Sequence, residues 1–242
     1  MTNDQHARAA TSRPATSSAR EWTTEYRRGG IPSSVREEPS GSVVKFVEFA
    51  RAAGVLAGSA IDVGCGSGRN SLYLASLGYN VTAIDFVPTA IKDLLAKAKG
   101  FGLEVDARCH NVRDAWPCPP ASQQLAIDAF CFKHQIELSD VSAYARNAAD
   151  ALATGALLMI SFAGREDGYY SKFPTDYQDG LGQIIRDPGN GILSRLYAPD
   201  EAVGVFDSFD LVEKSTKHMS NEMHGARYSR ETHIVYLRRS SR

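Results

Sequence analysis

The sequence predicts one α/β domain, a mainly parallel sheet with helices on both faces, and three observations lead there. Ile61-Asp62-Val63-Gly64-Cys65-Gly66-Ser67-Gly68-Arg69-Asn70 reads as a strand running into a glycine-rich turn and then a helix. Strand-like and helix-like segments alternate on both sides of that turn, the pattern of parallel strands joined by crossover helices. Ala156-Leu-Leu-Met-Ile-Ser-Phe162 is an unbroken run with one polar residue, as in a central strand buried on both faces. A chain of 242 residues suffices for one such domain with some elaboration and not for a second independent core.

Each element follows from its local pattern. Residues 1–20 are rich in Ala, Ser, Thr and Arg and poor in large apolar residues, so they are expected to be a disordered tail, with the domain spanning 21–242. From Glu21 onward Trp22 and Tyr26 fall on one helical face before a Gly29-Gly30-Ile31-Pro32 break. Ser40 is placed to cap a helix whose inward face is Val43, Phe46, Val47 and Ala50 and which Gly54 stops. Strands are expected at 60–63, 79–84, 103–110, 125–128, 156–162, 209–217 and 232–237. Helices fall between them: one to Leu77, one from Pro88 through Leu95, one from Ser139 that Thr154-Gly155 closes, and one from Pro199 to Phe206. The sheet is therefore seven-stranded, with only the last strand antiparallel because a hairpin delivers it.

Two segments break the pattern. Residues 163–197 mix Gly, Asp and Pro with Tyr169, Tyr170, Phe173 and Tyr177, and a structureless loop that long is uncommon in a compact domain, so a substrate lid with one or two short helices is expected. The hairpin before the last strand carries His218, His224 and Arg227 and reads as a solvated turn.

A net charge of −1, 43% hydrophobic and 23% charged residues show no basic bias toward nucleic acid or an anionic membrane. No apolar run is long enough to span a bilayer. Cys65, Cys109, Cys118 and Cys131 lack zinc-type spacing and read as reduced thiols of a cytoplasmic protein, without a metal site. The expected partner is a small molecule, and the chain a monomer or homodimer.

The glycine turn states the chemistry. Gly64, Gly66 and Gly68 remove the side chains that would hold a ligand off the backbone, and the helix behind them presents free N–H groups and the positive end of its dipole. A dinucleotide site needs a glycine where this chain has Arg69, which disfavours a nicotinamide-linked reductase. Asp62, just ahead of the turn, can attract a cationic group. Asp85 ends the second strand on the rim where open α/β folds collect ligands; its carboxylate can take both hydroxyls of a ribose or simply cap the next helix.

The run from Asp62 to Ala75 resembles motif I of the class I S-adenosylmethionine-dependent methyltransferases, and is similar to their small-molecule branch, the tellurite-resistance and thiopurine methyltransferases. That resemblance implies a Rossmann-like seven-stranded fold and S-adenosyl-L-methionine as cofactor. It implies that Gly64, Cys65, Gly66 and Gly68 hold the cofactor's amino-acid end, Cys65 as a small side chain beside it, and that Asp85 grips the ribose. Phe86 would lie on the adenine, Asn111 and the Val112 backbone would meet the adenine edge with Asp114 as rival, and Asp128 would meet the amino end. The Trp22 and Tyr26 segment would either fold over the cofactor or pack on the sheet edge. Ala129-Phe-Cys-Phe-Lys-His134 resembles the corresponding strand end of the branch and offers His134 to the substrate as a base, with Tyr169 or Tyr170 assisting, although a histidine after a strand also serves structural roles. The activity implied is methyl transfer to a nitrogen, sulfur or oxygen nucleophile of a small molecule; a non-catalytic cofactor-binding regulator or scaffold would carry the same motif.

Overall fold

A computed structural model describes residues 17–31 and 36–241. The tail expected over residues 1–20 lies largely outside that span; within it, Ser18 already caps the first helix, α1 (Ala19–Arg28). Ser18 Oγ accepts from Glu21 N and Glu21 Oε2 from Ser18 N, a reciprocal cap, and left-handed Gly29 ends the helix. α2 (Gly41–Ala52) buries Val43, Phe46, Val47 and Ala50 completely. The Ser40 hydroxyl caps no backbone N–H there and instead accepts from Arg69 Nη2.

The core is a seven-stranded sheet of β1 (Gly58–Val63), β2 (Tyr79–Asp85), β3 (Val105–Cys109), β4 (Gln123–Ala129), β5 (Leu152–Ala163), β9 (Phe209–Met223) and β10 (Ala226–Arg239). Its order is β3-β2-β1-β4-β5-β10-β9, and the pairs among β1 to β5 are parallel. β10 is antiparallel to both neighbours, so it alone runs against the rest, as expected from its hairpin connection. The crossover helices are α3 (Arg69–Ser76), α4 (Pro88–Phe101) and α5 (Leu138–Ala151). One face packs Leu74 and Leu94 with α2 against the sheet, and the other packs Tyr144, Phe132, Tyr197 and Phe206. This is the seven-stranded, mostly parallel arrangement that the strand pattern predicts, with helices on both faces.

Boundaries differ in places. β5 starts at Leu152, paired with Gln123, so α5 passes directly into the strand and Thr154-Gly155 does not close the helix. Gly155, at φ 81°, instead sits where the register between β4 and β5 shifts. The larger departure is in the expected lid. Beside one short 3₁₀ helix (Tyr170–Lys172) it holds an unexpected antiparallel sheet of β6 (Thr175–Asp179), β7 (Gly182–Arg186) and β8 (Leu193–Leu196), followed by α6 (Pro199–Val203). The Asp179-Gly180-Leu181-Gly182 stretch is a hairpin turn, and a side chain at Gly182 (φ 146°) would stand 2.7 Å from the Leu196 carbonyl oxygen.

This cap is fastened by buried charges. Arg195, fully buried, pairs with Asp179 and donates to the Ile136 carbonyl; Arg230 Nε donates to Asp167 Oδ2 at 2.7 Å. An arginine can be buried at such a place because its planar fork meets several acceptors at once.

Candidate functional site

The sheet decides where ligands gather. From β1 the chain steps outward through β2 to β3 and then returns to the other side of β1 as β4, so a crevice opens beyond the carboxyl ends of β1 and β4. Register aligns those ends: Val63 pairs with Ile84 and with Asp128, and Asp85 with Cys109. The residues just past them line one cleft of about 1070 Å³, open mouth included.

Gly64, Cys65, Gly66 and Gly68 form the cleft's inner bend, the three glycines at φ 70°, 54° and 85°. Each glycine also makes room: a Cβ would stand 2.4 Å from Cys131 Cβ at Gly64, 2.8 Å from Tyr26 Oη at Gly66 and 2.1 Å from Leu94 Cδ1 at Gly68. The Gly66 N–H donates to Asp85 Oδ2 and the Val87 N–H to Asp85 Oδ1, both at 2.9 Å. An ionised carboxylate has about four lone-pair sites, so two remain for a ligand's hydroxyls. Burial raises Asp85 to about 6, against the pull of those backbone N–H groups. Phe86, Asn111 and Val112 continue the wall. Asn111 Oδ1 accepts from Arg113 N and Nε, which fixes the amide beside the cleft, whereas Asp114 is exposed and outside it.

Tyr26 and Trp22 reach in from α1 and roof the cleft, their ring centroids 6.1 Å apart. Across from the glycine bend lie Phe130, Cys131, His134 and Gln135. His134 Nδ1 is 2.7 Å from the Leu193 carbonyl; a carbonyl only accepts, so Nδ1 carries the proton and Nε2 keeps its lone pair. Burial, and after it the Lys133 ammonium, push His134 well below its ordinary value despite that hydrogen bond, so the ring is neutral at pH 7. Trp22 packs edge-on against it at 4.7 Å. Burial also pushes the Cys65 and Cys131 thiols up, which makes them inert walls rather than nucleophiles.

Three expected site residues are elsewhere. Asp62 and Asp128 are buried beneath the cleft: Asp62 Oδ2 accepts from Ser71 Oγ at 2.6 Å, and Asp128 accepts from Tyr144 Oη at 2.7 Å and Cys131 N at 2.8 Å. Both carboxyls are raised to about 7 by burial; Asp62 ties β1 to α3 and Asp128 braces the β4 end. Tyr169 is in the cap, its hydroxyl donating to Asp187 Oδ2 at 2.7 Å, and does not line the cleft. Its aromatic neighbours Tyr170, Phe173 and Tyr228 show that it packs the cap.

Phe130 was missed by motif reasoning. It holds a left-handed φ of 78°, which costs a bulky residue roughly 1–3 kcal/mol. Its N–H donates to the Ser161 carbonyl at 2.9 Å, and its ring both lines the cleft and packs on the cap's apolar cluster. Arg36, Arg69, Lys97 and Arg113 were also missed; they surround the cleft with positive charge that only tertiary structure collects, and burial, followed by Arg36, lowers Arg69.

With known proteins the chain shares the following. A family model described as a methyltransferase domain matches residues 60–155. A ubiquinone biosynthesis O-methyltransferase of Xanthomonas axonopodis pv. citri (strain 306) is 35% identical over 106 residues, 43% of each chain; this chain therefore spans less than half the length of that curated relative. Among solved structures, the protein studied for conversion of a disulfide bond into a thioacetal group during echinomycin biosynthesis superposes with TM-score 0.67 at 23% identity, over 91% of this chain and 92% of that one. The Burkholderia thailandensis 1,6-didemethyltoxoflavin-N1-methyltransferase, solved with 1,6-didemethyltoxoflavin and S-adenosylhomocysteine bound, gives 0.66 at 18% identity, over 92% and 87%. At these identities the structural likenesses establish a common fold.

Proposed function

We propose that the chain is a class I S-adenosylmethionine-dependent methyltransferase of the small-molecule branch and that it transfers a methyl group to a nitrogen, sulfur or oxygen nucleophile of a small molecule. The observation that carries the reading is that the glycine bend, Asp85, Phe86 and Asn111 share one cleft with a neutral, oriented imidazole at its other end.

The residues fit the cofactor. The glycine backbone admits close approach, Asp85 has two acceptor sites that would take a ribose diol, Phe86 would lie on a flat base, and Asn111 and Val112 would meet its edge. When bound, S-adenosylmethionine supplies a methyl group on a sulfonium centre, already activated for displacement. The protein's part is therefore placement: Trp22, Phe130 and Gln135 flank the acceptor, and α1 covers the cleft against water. Alignment alone supplies roughly 7–11 kcal/mol in well-oriented cases. His134 Nε2 takes the proton of an acceptor that is protonated at working pH, a role for which a neutral ring with its other nitrogen tied to Leu193 is suited.

The balanced charge favours a small molecule over nucleic acid, and the free cysteines favour the cytoplasm. No helix among the described residues is long and apolar enough to cross a membrane. The test is calorimetry with S-adenosylmethionine and S-adenosylhomocysteine, followed by a survey of phenols, thiols and heterocycles with a labelled methyl donor. Binding plus label transfer to one acceptor class is expected; no affinity for either nucleoside would overturn the reading.

A further inference from the structure

The hairpin joining β9 to β10, expected to be solvated, is not solvated at His224. Its side chain is 12% exposed, it holds a left-handed φ of 48°, and its N–H donates to the Gly30 carbonyl at 2.7 Å. Both ring nitrogens are buried without a hydrogen-bond partner among the described residues, and so is Glu25 Oε1 on α1, whose residue is fully buried. A Cβ at Gly30 would stand 2.3 Å from His224 Nδ1 and 2.5 Å from Glu25 Oε1, so these two atoms converge on the space the glycine leaves. On the ring's other side Nε2 is 3.7 Å from Asp187 Oδ2. The imidazole thus lies between two acids from two different segments, beneath the helix that roofs the cleft.

We propose that Glu25 and His224 are positioning residues for the transfer, forming a proton-dependent clamp: protonated His224 holds α1, with Trp22 and Tyr26, down on the cleft, and loss of the proton loosens it. The inference rests on the reading of the cleft given above. A neutral imidazole has one N–H and cannot serve both carboxylates, whereas the imidazolium has two and a matching charge. The remaining groups that face the ring do not replace that proton. Tyr169, its ring 5.8 Å away, has already given its hydroxyl to Asp187, and Asn190 Nδ2 serves only Glu25 Oε2. The nearby cations are committed elsewhere: Lys133, which burial lowers to about 7 so that it loses charge over the same pH range, donates to Ser194, Arg230 to Asp167, and Arg28 to the Gly189 carbonyl. Breaking the clamp leaves α1 held by Arg28 and by the Leu193 N–H to Ser17 Oγ, so it loosens rather than unfolds.

The test is amide hydrogen exchange of the full, ligand-free chain at about pH 6 and about pH 8. Corrected for intrinsic exchange, α1 is expected to be roughly tenfold more protected at the lower pH, the size of one charge-assisted hydrogen bond, while α2 stays unchanged. His224→Asn tolerates the left-handed backbone and takes no proton, and is expected to abolish the difference; Glu25→Gln is expected to reduce it. Protection of α1 that is independent of pH, or a pH dependence that survives in His224→Asn, overturns the clamp. Exchange is read without ligand because Asp85 titrates in the opposite sense for nucleoside binding. The two ideas therefore fail separately: no affinity for S-adenosylhomocysteine at either pH sinks the functional reading, and flat exchange sinks the clamp.

Discussion

The rim of the sheet and the cap above it are built differently. On the rim, Gly64 to Gly68, Asp85, Phe86 and Asn111 lie at or within two residues of the carboxyl ends of adjacent parallel strands or, in the glycine bend, run on from one, and the tie between them, Gly66 N–H to Asp85, joins neighbouring strand ends. The cap is held by pairs remote in sequence: Asp167 with Arg230, Lys133 with Ser194, and His134 with Leu193. The rim owes its geometry to strand register, which admits little variation. The cap owes its geometry to side chains that meet only after the chain has folded.

Substitutions can break that contrast, and the glycines give the largest effect. Gly68→Val combines a left-handed φ of 85° with a contact 2.1 Å from Leu94 Cδ1, and is expected to cost about 3 kcal/mol or more in denaturant unfolding. On the cap, Gly180→Ala meets nothing within 4 Å and should stay within about 0.5 kcal/mol. Equal losses at the two sites would dissolve the distinction. His134→Ala is next: turnover on a hydroxyl acceptor should fall roughly 100-fold while S-adenosylhomocysteine affinity holds within about twofold. A matched loss of affinity would make His134 a cofactor residue instead.

Asp85→Ala should weaken S-adenosylhomocysteine roughly tenfold by calorimetry. In the unaltered protein the carboxylate is ionised above about 6, so affinity should be full above that pH and decline as pH falls through it, because the protonated acid loses acceptor capacity. A pH-independent affinity would show that the nucleoside does not use Asp85. The smallest effect belongs to the cap: Tyr169→Phe removes the hydroxyl given to Asp187 and should cost about 1 kcal/mol of stability with turnover changed less than about threefold. A loss of turnover near that of His134→Ala would restore Tyr169 to catalysis.

The sequence alone determined the sheet and the glycine rim of the cleft, since parallel strands announce themselves by apolar runs and their ends by the residue that follows, as at Gly64 and Asp85. Neither needs any knowledge of distant contacts. It did not reveal that Asp62 and Asp128 support the site from beneath, because a motif gives position along a strand but not which side of the backbone a carboxylate occupies. Nor did aromatic content distinguish Tyr169, bound to Asp187, from Phe130, which a left-handed backbone keeps on the cleft wall. The three strands of the cap went unread because its aromatic, glycine-rich stretch pointed to a lid, although an Asp-Gly pair such as Asp179-Gly180 suits the hairpin turn found there. Tertiary structure alone decided the burial of His224 against Glu25 and Asp187, and the ring of cations around the cleft. Those depend on where segments far apart in the chain come to rest, and local sequence carries no record of that.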